Sequence, residues 1–243
     1  MLDKRLQELN DVITPFRMAN CASMQYIAKH GLSLSVAREL ASQYYAANAA
    51  SPQIMAAGIS QIWNEKLRVS LVANLYEECG NGVVEKSHIA LFQRFMTAVE
   101  VDPETAKVIK QGTPTEKLIS TFLSVCSQGP DYRALAILHS FEDVFAYVCT
   151  LITTGLKKSC IIDMHAAEFF PLHSVADILH AERMRSAMLD AADTEEKWQE
   201  CLDLIRLGAS LLYNLFDSIA KTGLADTSNK NSSIEICGAP HST

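Results

Sequence analysis

The chain has 243 residues, 49% of them hydrophobic, which is enough to bury one substantial core. Its formal net charge of −7 argues against nucleic acid or an anionic membrane as the main partner, because both bind clustered Lys and Arg. No run approaches the roughly 18 consecutive apolar residues of a transmembrane helix, and the charged N-terminus lacks a signal peptide's apolar run. The seven cysteines show no Cys-x-x-Cys spacing, which favours reduced thiols. We therefore expect a soluble, cytoplasmic protein.

Helical periodicity dominates the chain, and its 10 glycines and 7 prolines fall mostly between the periodic segments. Ser33 and Ser35 can cap one helix, Asp102 and Pro103 open a short one, and Thr194 with two following acids begins the last. No alternating pattern is long enough for a useful β-strand. In chain order, the periodicity predicts helices near 2–13, 16–29, 34–49, 53–78, 84–99, 115–127, 131–156, 165–190 and 194–222.

The C-terminal residues 225–243 are polar and rich in Ser and Asn, which predicts a disordered tail. Residues 1–224 contain no internal repeat, and their length suits one domain. We therefore expect an all-α protein in which 1–224 form a single bundle of about seven to nine helices.

The strongest local motif is the segment 169–184, which reads FFPLHSVADILHAERM. His173, Asp177 and His180 stand there at i, i+4 and i+7, and at ~100° per residue their side chains lie within about 60° of one another. Two imidazoles and a carboxylate on one stripe suit a metal ion that keeps positions open for oxygen. The alternative is that these three residues form a polar face exposed to solvent. The apolar residues around them argue against that alternative.

A second candidate lies where two predicted helices meet. Glu77 and Glu78 end an apolar helix, a glycine-rich break follows at 79–82, and His88 begins the next helix. Two acids, a break and a histidine that faces inward are unusual for a plain connector. The alternative is that these are ordinary surface acids followed by a helix-start histidine.

The literal spacings leave a competing ligand set open. Glu85 and His88 form a Glu-x-x-His, and Asp177 and His180 form an Asp-x-x-His. Ferritin-like diiron bundles use two Glu-x-x-His motifs plus one Glu from each of two further helices. In that geometry Glu85 would replace Glu78 as the ligand, and the spacing alone leaves both open.

A third candidate is Glu142, in the long apolar segment 133–152. It shares a helical stripe with Leu135, Leu138 and His139. A carboxylate in such a stripe is costly to bury unless it is paired or bound to metal. His139 is either a partner that orients Glu142 or a structural histidine.

Taken together, these residues resemble the heme oxygenase-like diiron oxidases and oxygenases, which are related in fold to thiaminase-II and PqqC-like proteins. That family carries a Glu seven to ten residues before a His, a Glu on a later helix, and then His-x-x-x-Asp-x-x-His. The similarity covers about residues 15–220. It implies a heme oxygenase-like helical bundle, usually a homodimer, and selects Glu78 over Glu85. The implied metal ligands are Glu78, His88, Glu142, His173, Asp177 and His180.

The resemblance implies two Fe(II) ions, with Mn as a substitute, O2 as co-substrate, and room for an external electron donor. It also implies a small amino-acid-derived substrate in specialised metabolism, through N-oxygenation, carbon–carbon cleavage or rearrangement to alkenes or nitriles. Self-sacrificing para-aminobenzoate synthases of this family use a Lys about ten residues after the Glu142 position. Here Ile152 stands near that point and the closest Lys is Lys157, which argues against that chemistry. Pocket candidates are Tyr44, Tyr45, Met55 and Arg94.

Two rival functions remain. One is a metal-free hydrolase on the same bundle, in which Cys149, seven residues after Glu142, would be the nucleophile. That function would leave six potential metal ligands without a role. The other is a non-catalytic interaction protein, for which a broken ligand set would be expected.

Overall fold

The computed structural model describes residues 2–106 and 113–236, without the side chains of Ser70 and of residues 227–236. No strand occurs in these ranges, so the all-α prediction is confirmed. The α-helices of the described ranges are α1 (Leu2–Ile13), α2 (Ala22–His30), α3 (Leu34–Ser60), α4 (Glu65–Glu78), α5 (His88–Ala98), α6 (Pro103–Ala106), α7 (Thr113–Ser127), α8 (Asp131–Ser159), α9 (Phe169–Ala191) and α10 (Glu195–Ile236). Two of the connections between these helices, α1 to α2 and α4 to α5, each contain two short 3-10 turns.

The helix boundaries differ from the predicted ones in the first third of the chain. α3 continues through Pro52 to Ser60, although proline removes one helical hydrogen bond. Residues on both sides of Pro52, including Asn48 and Met55, are buried, so packing holds the helix across it. The predicted helix 53–78 is therefore split, and Asn64 begins α4 by accepting a hydrogen bond from the Leu67 amide at 3.3 Å.

The C-terminus also differs from the predicted helix end at 222. The backbone of α10 remains helical as far as Ile236, so the first twelve residues of the segment 225–243 are part of a helix. Residues 237–243 lie outside the described residues. The division into a domain over 1–224 and a separate tail stays a prediction.

The long helix α8 lies at the centre of the bundle, where it packs most extensively on α9 and α10 and also contacts α2, α7 and α3. By length and composition, it alone among the described helices could cross a membrane. However, 72% of its most apolar window is buried inside the bundle, as expected of a core helix. A wide apolar stripe that other helices cover on several sides explains why this sequence is hydrophobic almost all round.

Aromatic rings from four helices pack beside the middle of α8. Tyr44 of α3 stacks on Phe145 of α8, with ring centroids 5.1 Å apart. Phe92 of α5 contacts Phe169 of α9 edge to face at 5.0 Å, and Phe169 in turn lies 4.0 Å from the His173 ring. This cluster fixes the spacing of the helices that carry the predicted site residues.

Candidate metal centre

All six predicted ligand side chains are buried and converge at one place in the bundle. None is more than 7% exposed, and Asp177 and His180 are completely buried. Polar side chains are rarely buried in such a group unless they are paired or bind a ligand. The six come from the end of α4, the start of α5, the middle of α8 and the first half of α9: Glu78, His88, Glu142, His173, Asp177 and His180.

The turn between α4 and α5 places two of them face to face. Gly80, Asn81 and Gly82 all have positive φ angles, of 68°, 55° and 82°. A Cβ at Gly80 would lie 2.5 Å from backbone atoms of Lys86 and Ser87, so only glycine fits this close crossing. Ser87 then begins α5 by accepting a hydrogen bond from the Ala90 amide at 3.2 Å. The chain therefore reverses sharply, with an acid at the end of one helix and a histidine at the start of the next.

One group of donors comprises Glu78, His88 and His173, whose ligand atoms all lie within 4.8 Å of one another. Nδ1 of His88 lies 2.6 Å from Oε2 of Glu78, and the two imidazole ring centroids are 4.2 Å apart. Nδ1 of His173 lies 2.7 Å from the Phe169 carbonyl oxygen, to which it donates. That hydrogen bond leaves Nε2 of His173 as the unprotonated nitrogen, the form that binds metal.

A second group comprises Glu78, Asp177 and His180, again within 4.8 Å of one another. Nδ1 of His180 lies 3.7 Å from Oε1 of Glu78 and 3.8 Å from Oδ1 of Asp177. Glu142 adds Oε2 at 3.5 Å from the same nitrogen. Because one oxygen of Glu78 faces His88 and the other faces His180, this carboxylate spans both groups.

The residues present fit two metal ions. Both oxygens of Asp177 and Nδ1 of His180 are buried and have no hydrogen-bond partner. Buried polar atoms without partners are rare because each costs free energy, so these atoms point to a ligand. Three imidazoles and three carboxylates form a donor set suited to iron, and also to manganese or zinc.

The electrostatics of the centre agree with a cation site. Burial lowers the pKa of His173 to about 3, so its ring is neutral. Burial, followed by the charges of Glu142 and Glu78, raises the pKa of Asp177 well above its ordinary value of 3.8. Three carboxylates crowded in a water-poor centre repel one another, and a divalent cation would remove that repulsion.

An outer set of contacts holds the ring of His180. Its Nε2 donates to Oε2 of Glu77 at 2.8 Å, which turns Nδ1 toward the centre. Arg183 donates through Nη1 both to Oε1 of Glu77, at 3.2 Å, and to Oδ1 of Asn74, at 2.6 Å. Hydrogen bonds of this kind fix the tautomer and orientation of metal-binding histidines. The sequence analysis included Glu77 in the candidate pair of acids but assigned it no role of its own. The signal was that neighbouring residues of a helix point about 100° apart, so Glu78 could bind metal while Glu77 holds a metal-binding histidine.

Four other predicted candidates lie outside the two donor groups. Glu85 is exposed, so Glu78 and not Glu85 is the carboxylate beside His88. His139 does not orient Glu142: its Nδ1 lies 3.1 Å from the Ala181 carbonyl oxygen instead. Among the pocket candidates, Tyr45 accepts a hydrogen bond from Gln93 at 2.8 Å, and Met55 lines a small apolar void that reaches Glu142.

An open cleft of about 690 Å³ lies on the α5 side of the centre; we call it the Arg94 cleft. His88 and Glu77 form part of its wall, so it reaches the candidate ligands directly. Arg94 pairs with Glu168 at 2.5 Å, and both are partly exposed to the cleft. The other polar and charged side chains that line it are Asn81, Glu85, Lys86 and His165.

Comparison with known proteins agrees with this geometry. Residues 38–213 match a family model described as iron-containing redox enzyme. A 4-aminobenzoate synthase from Nitrosomonas europaea is 32% identical over 154 residues, which span 63% of this chain and 61% of that protein. The chain thus matches about three fifths of that relative's length.

Two solved structures show the fold. A domain of unknown function with a heme oxygenase-like fold from Shewanella denitrificans superposes with a TM-score of 0.74 at 16% identity, over 94% of this chain and 95% of that one. A TenA homologue from Pseudomonas syringae superposes with a TM-score of 0.74 at 12% identity, over 89% of this chain and 92% of that one. The bundle is therefore a heme oxygenase-like helical fold. Since the family model covers well over half of the residues, the chain belongs to the family of iron-containing redox enzymes.

Proposed function

We propose that the protein is a non-heme diiron oxidoreductase that uses O2 to oxidise or oxygenate a small amino-acid-derived molecule. The observation that carries this proposal is the pair of donor groups that share Glu78, with buried Asp177 and His180 atoms that have no protein partner. A mononuclear site would need fewer donors, and a structural core would not leave such atoms unpartnered. The family membership supports iron as the metal.

The two donor groups suggest how the ions would be divided. His88 and His173 would hold one ion, Asp177 and His180 would hold the other, and Glu78 would contact both. Glu142, beside His180, would complete the second position. When bound, two iron ions would supply the electrons and the positive charge that O2 reduction requires.

The remaining residues prepare the site. Glu77 keeps Nδ1 of His180 directed inward, and the Phe169 carbonyl does the same for Nε2 of His173. The rings of Phe145 and Phe169 lie 5.6 Å and 4.0 Å from His173 and exclude water from that side. A dry, preoriented centre strengthens the interactions of every charge inside it.

The Arg94 cleft supports an amino-acid-derived substrate. Arg94 and Glu168 present opposite charges in a space that adjoins His88, so a molecule with a carboxylate and an amine could exchange partners with this ion pair. The Nitrosomonas relative is named for a product with the same two groups. Ile152 stands near the position of the lysine that the self-sacrificing synthases consume, which argues against that route in this chain. We therefore propose an external substrate.

The metal-free alternative is less well supported. Burial, followed by the charges of Asp177 and Glu142, raises the pKa of Cys149 well above its ordinary range. A nucleophilic cysteine needs the opposite shift, because the thiolate is the reactive form. The homodimer and the external electron donor remain proposals drawn from the family resemblance, and the cytoplasmic location remains a proposal drawn from the cysteine pattern and the N-terminus.

The test is an anaerobic Fe(II) titration of the full metal-free chain, followed by exposure to O2. We expect two irons per chain and iron-dependent O2 uptake. His180→Ala should bind fewer, whereas the control His165→Ala, whose side chain is 74% exposed, should bind two. Absence of iron binding by the parent chain, with candidate amino acids present, would refute the proposal.

A further inference from the structure

A second cleft lies beside the metal centre but on a different face of α8 and α9. It has a volume of about 220 Å³ and none of its lining residues belongs to the six candidate ligands. We call it the His139 cleft. Helix α1 contributes three apolar side chains and Asn10, Arg17 follows α1 in the chain, and α8 and α9 contribute polar and charged groups. The lining residues are Leu6, Leu9, Asn10, Ile13, Arg17, His139, Asp143 and Arg185.

One wall of the cleft presents a buried hydrogen-bond acceptor that no described residue satisfies. His139 is 1% exposed, and its Nδ1 donates to the Ala181 carbonyl oxygen at 3.1 Å. Its Nε2 is therefore the unprotonated nitrogen, and it has no partner. Burial lowers the pKa of His139, so the ring stays neutral and Nε2 remains an acceptor. Because His139 lines the cleft, a ligand there that carries a donor could satisfy this atom.

The charged groups of the cleft are also incompletely paired. Arg17 donates to Oδ1 of Asn10 at 2.6 Å, but its Nε is buried without a partner. The charges of Asp143 and Arg185 both act on the His139 ring, so they lie close to it. Within the described part of the chain, neither arginine forms an ion pair, and nor does Asp143. The cleft thus offers two guanidinium groups for an anion and one carboxylate for a cation.

We propose that the His139 cleft binds a small aliphatic α-amino acid. Its carboxylate would accept hydrogen bonds from Arg17 and Arg185, and its ammonium group would donate to Nε2 of His139 and to Asp143. Its aliphatic side chain would pack against the apolar wall of α1.

The size of the cleft agrees with this class of ligand. A volume of 220 Å³ corresponds to about seven water molecules at roughly 30 Å³ each, which suits a molecule the size of valine or leucine. An anion without an N–H or O–H group, such as a simple carboxylate, would leave the acceptor of His139 unsatisfied and would face Asp143 with a like charge. A simple amine would leave both guanidinium groups without a counterion.

The position of the cleft connects it to the metal centre. His139 precedes Glu142 by one helical turn, and its hydrogen-bond partner Ala181 directly follows His180. The His139 ring therefore links α8 to α9 beside Glu142 and His180, and an amino acid bound at its Nε2 would contact this link. The site is separate from the Arg94 cleft, and its existence does not depend on the iron.

The test is calorimetric titration of the full, metal-free chain with L-leucine. Two matched probes each lack one charge: 4-methylpentanoate has no ammonium group, and 3-methylbutylamine has no carboxylate. Removal of a charge-assisted hydrogen bond costs about 1.5–3 kcal/mol, so each probe should bind about 10–100-fold more weakly than L-leucine.

Variants locate the binding. Arg185→Gln and Asp143→Asn should each weaken L-leucine binding by about tenfold or more, whereas the exposed control Arg206→Gln on α10 should not. Thermal melts establish that each variant is folded. Because the two variants lie on different helices, one can still test the proposal if the other does not fold. No binding of L-leucine at millimolar concentration would overturn the proposal. Binding abolished by Arg94→Gln but unaffected by Arg185→Gln and Asp143→Asn would also overturn it, because the ligand would then occupy the other cleft.

Discussion

Replacement of Asp177 by asparagine should stabilise the metal-free protein and at the same time weaken one of the two metal positions, the one that Asp177 shares with His180. Asp177 is completely buried, neither of its oxygens has a hydrogen-bond partner, and it lies beside Glu78 and Glu142. In the absence of metal, the folded protein must either hold this carboxylate charged next to two others or protonate it. Asparagine keeps the shape of the side chain without that cost.

The magnitude follows from the raised pKa of Asp177. Each unit between its ordinary value of 3.8 and its folded value costs about 1.4 kcal/mol of stability as the pH rises. At pH 7 the cost therefore reaches at most about 4 kcal/mol, and the amide of asparagine, which also lacks partners, offsets part of the gain. We expect Asp177→Asn to be more stable than the parent by about 1–3 kcal/mol. Each kcal/mol should raise Tm by roughly 2–4 °C in a chain of this size.

The assay is urea and thermal unfolding of chelator-treated protein at several pH values, with and without Fe(II) or Mn(II). The variant's advantage should shrink as the pH falls toward 3.8, since the unfolded carboxyl also binds a proton there. Metal should stabilise the parent, by about 2.7 kcal/mol for an ion present at a hundred times its Kd. It should stabilise the variant less, because only the group formed by Glu78, His88 and His173 keeps all its donors.

The matched control is Asp190→Asn, an exposed position about 20 Å farther along the same helix, which should change stability by less than about 0.5 kcal/mol. An Asp177→Asn protein that is less stable than the parent without metal at pH 7, or that still binds two ions, would refute this reasoning.

Three further predictions concern the surroundings of the centre. Glu77→Gln should weaken Mn(II) binding about 10–100-fold in competition titrations, because the His180 ring loses its charged hydrogen-bond acceptor. The control Glu85→Gln should bind Mn(II) as the parent does. Equal Mn(II) affinities of the Glu77→Gln variant and the parent would contradict the assigned orientation of His180. Cys149→Ala should retain iron-dependent O2 uptake, since its protonated thiol is not the nucleophile; complete loss in a folded variant would favour the metal-free alternative. Gly223→Ala should lower the free energy of unfolding, measured by urea denaturation, by about 1–3 kcal/mol, because the new Cβ would lie 2.5 Å from the Cα of Val36. An unchanged urea midpoint would show that α10 is not packed as closely as described.

Much of the local structure could be predicted from the residues themselves. The spacing of His173, Asp177 and His180 places them on one face of any α-helix, because 3.6 residues per turn is a property of the backbone. Buried acids such as Glu142 are conspicuous in an apolar helix for the same reason. Scarce glycine and proline, with no alternating pattern, were enough to predict an all-α chain.

Other features depend on how the helices pack. Pattern alone did not show that α3 continues through Pro52, because the packing on either side outweighs the lost hydrogen bond. Nor did it distinguish Glu78 from Glu85, since that choice follows from the positive φ angles of the turn at Gly80.

The sequence by itself determined the helices, the apolar stripes and the types of donor atom, because each depends on residues within a few turns of one another. Only the tertiary structure decided which donors meet. The distances from His180 to Glu77, Glu78 and Glu142 depend on the crossing of α4, α8 and α9, and crossing angles are set by the side chains packed between helices. The same packing left Nε2 of His139, a residue that lines a cleft, without a hydrogen-bond partner, which no local pattern could have indicated.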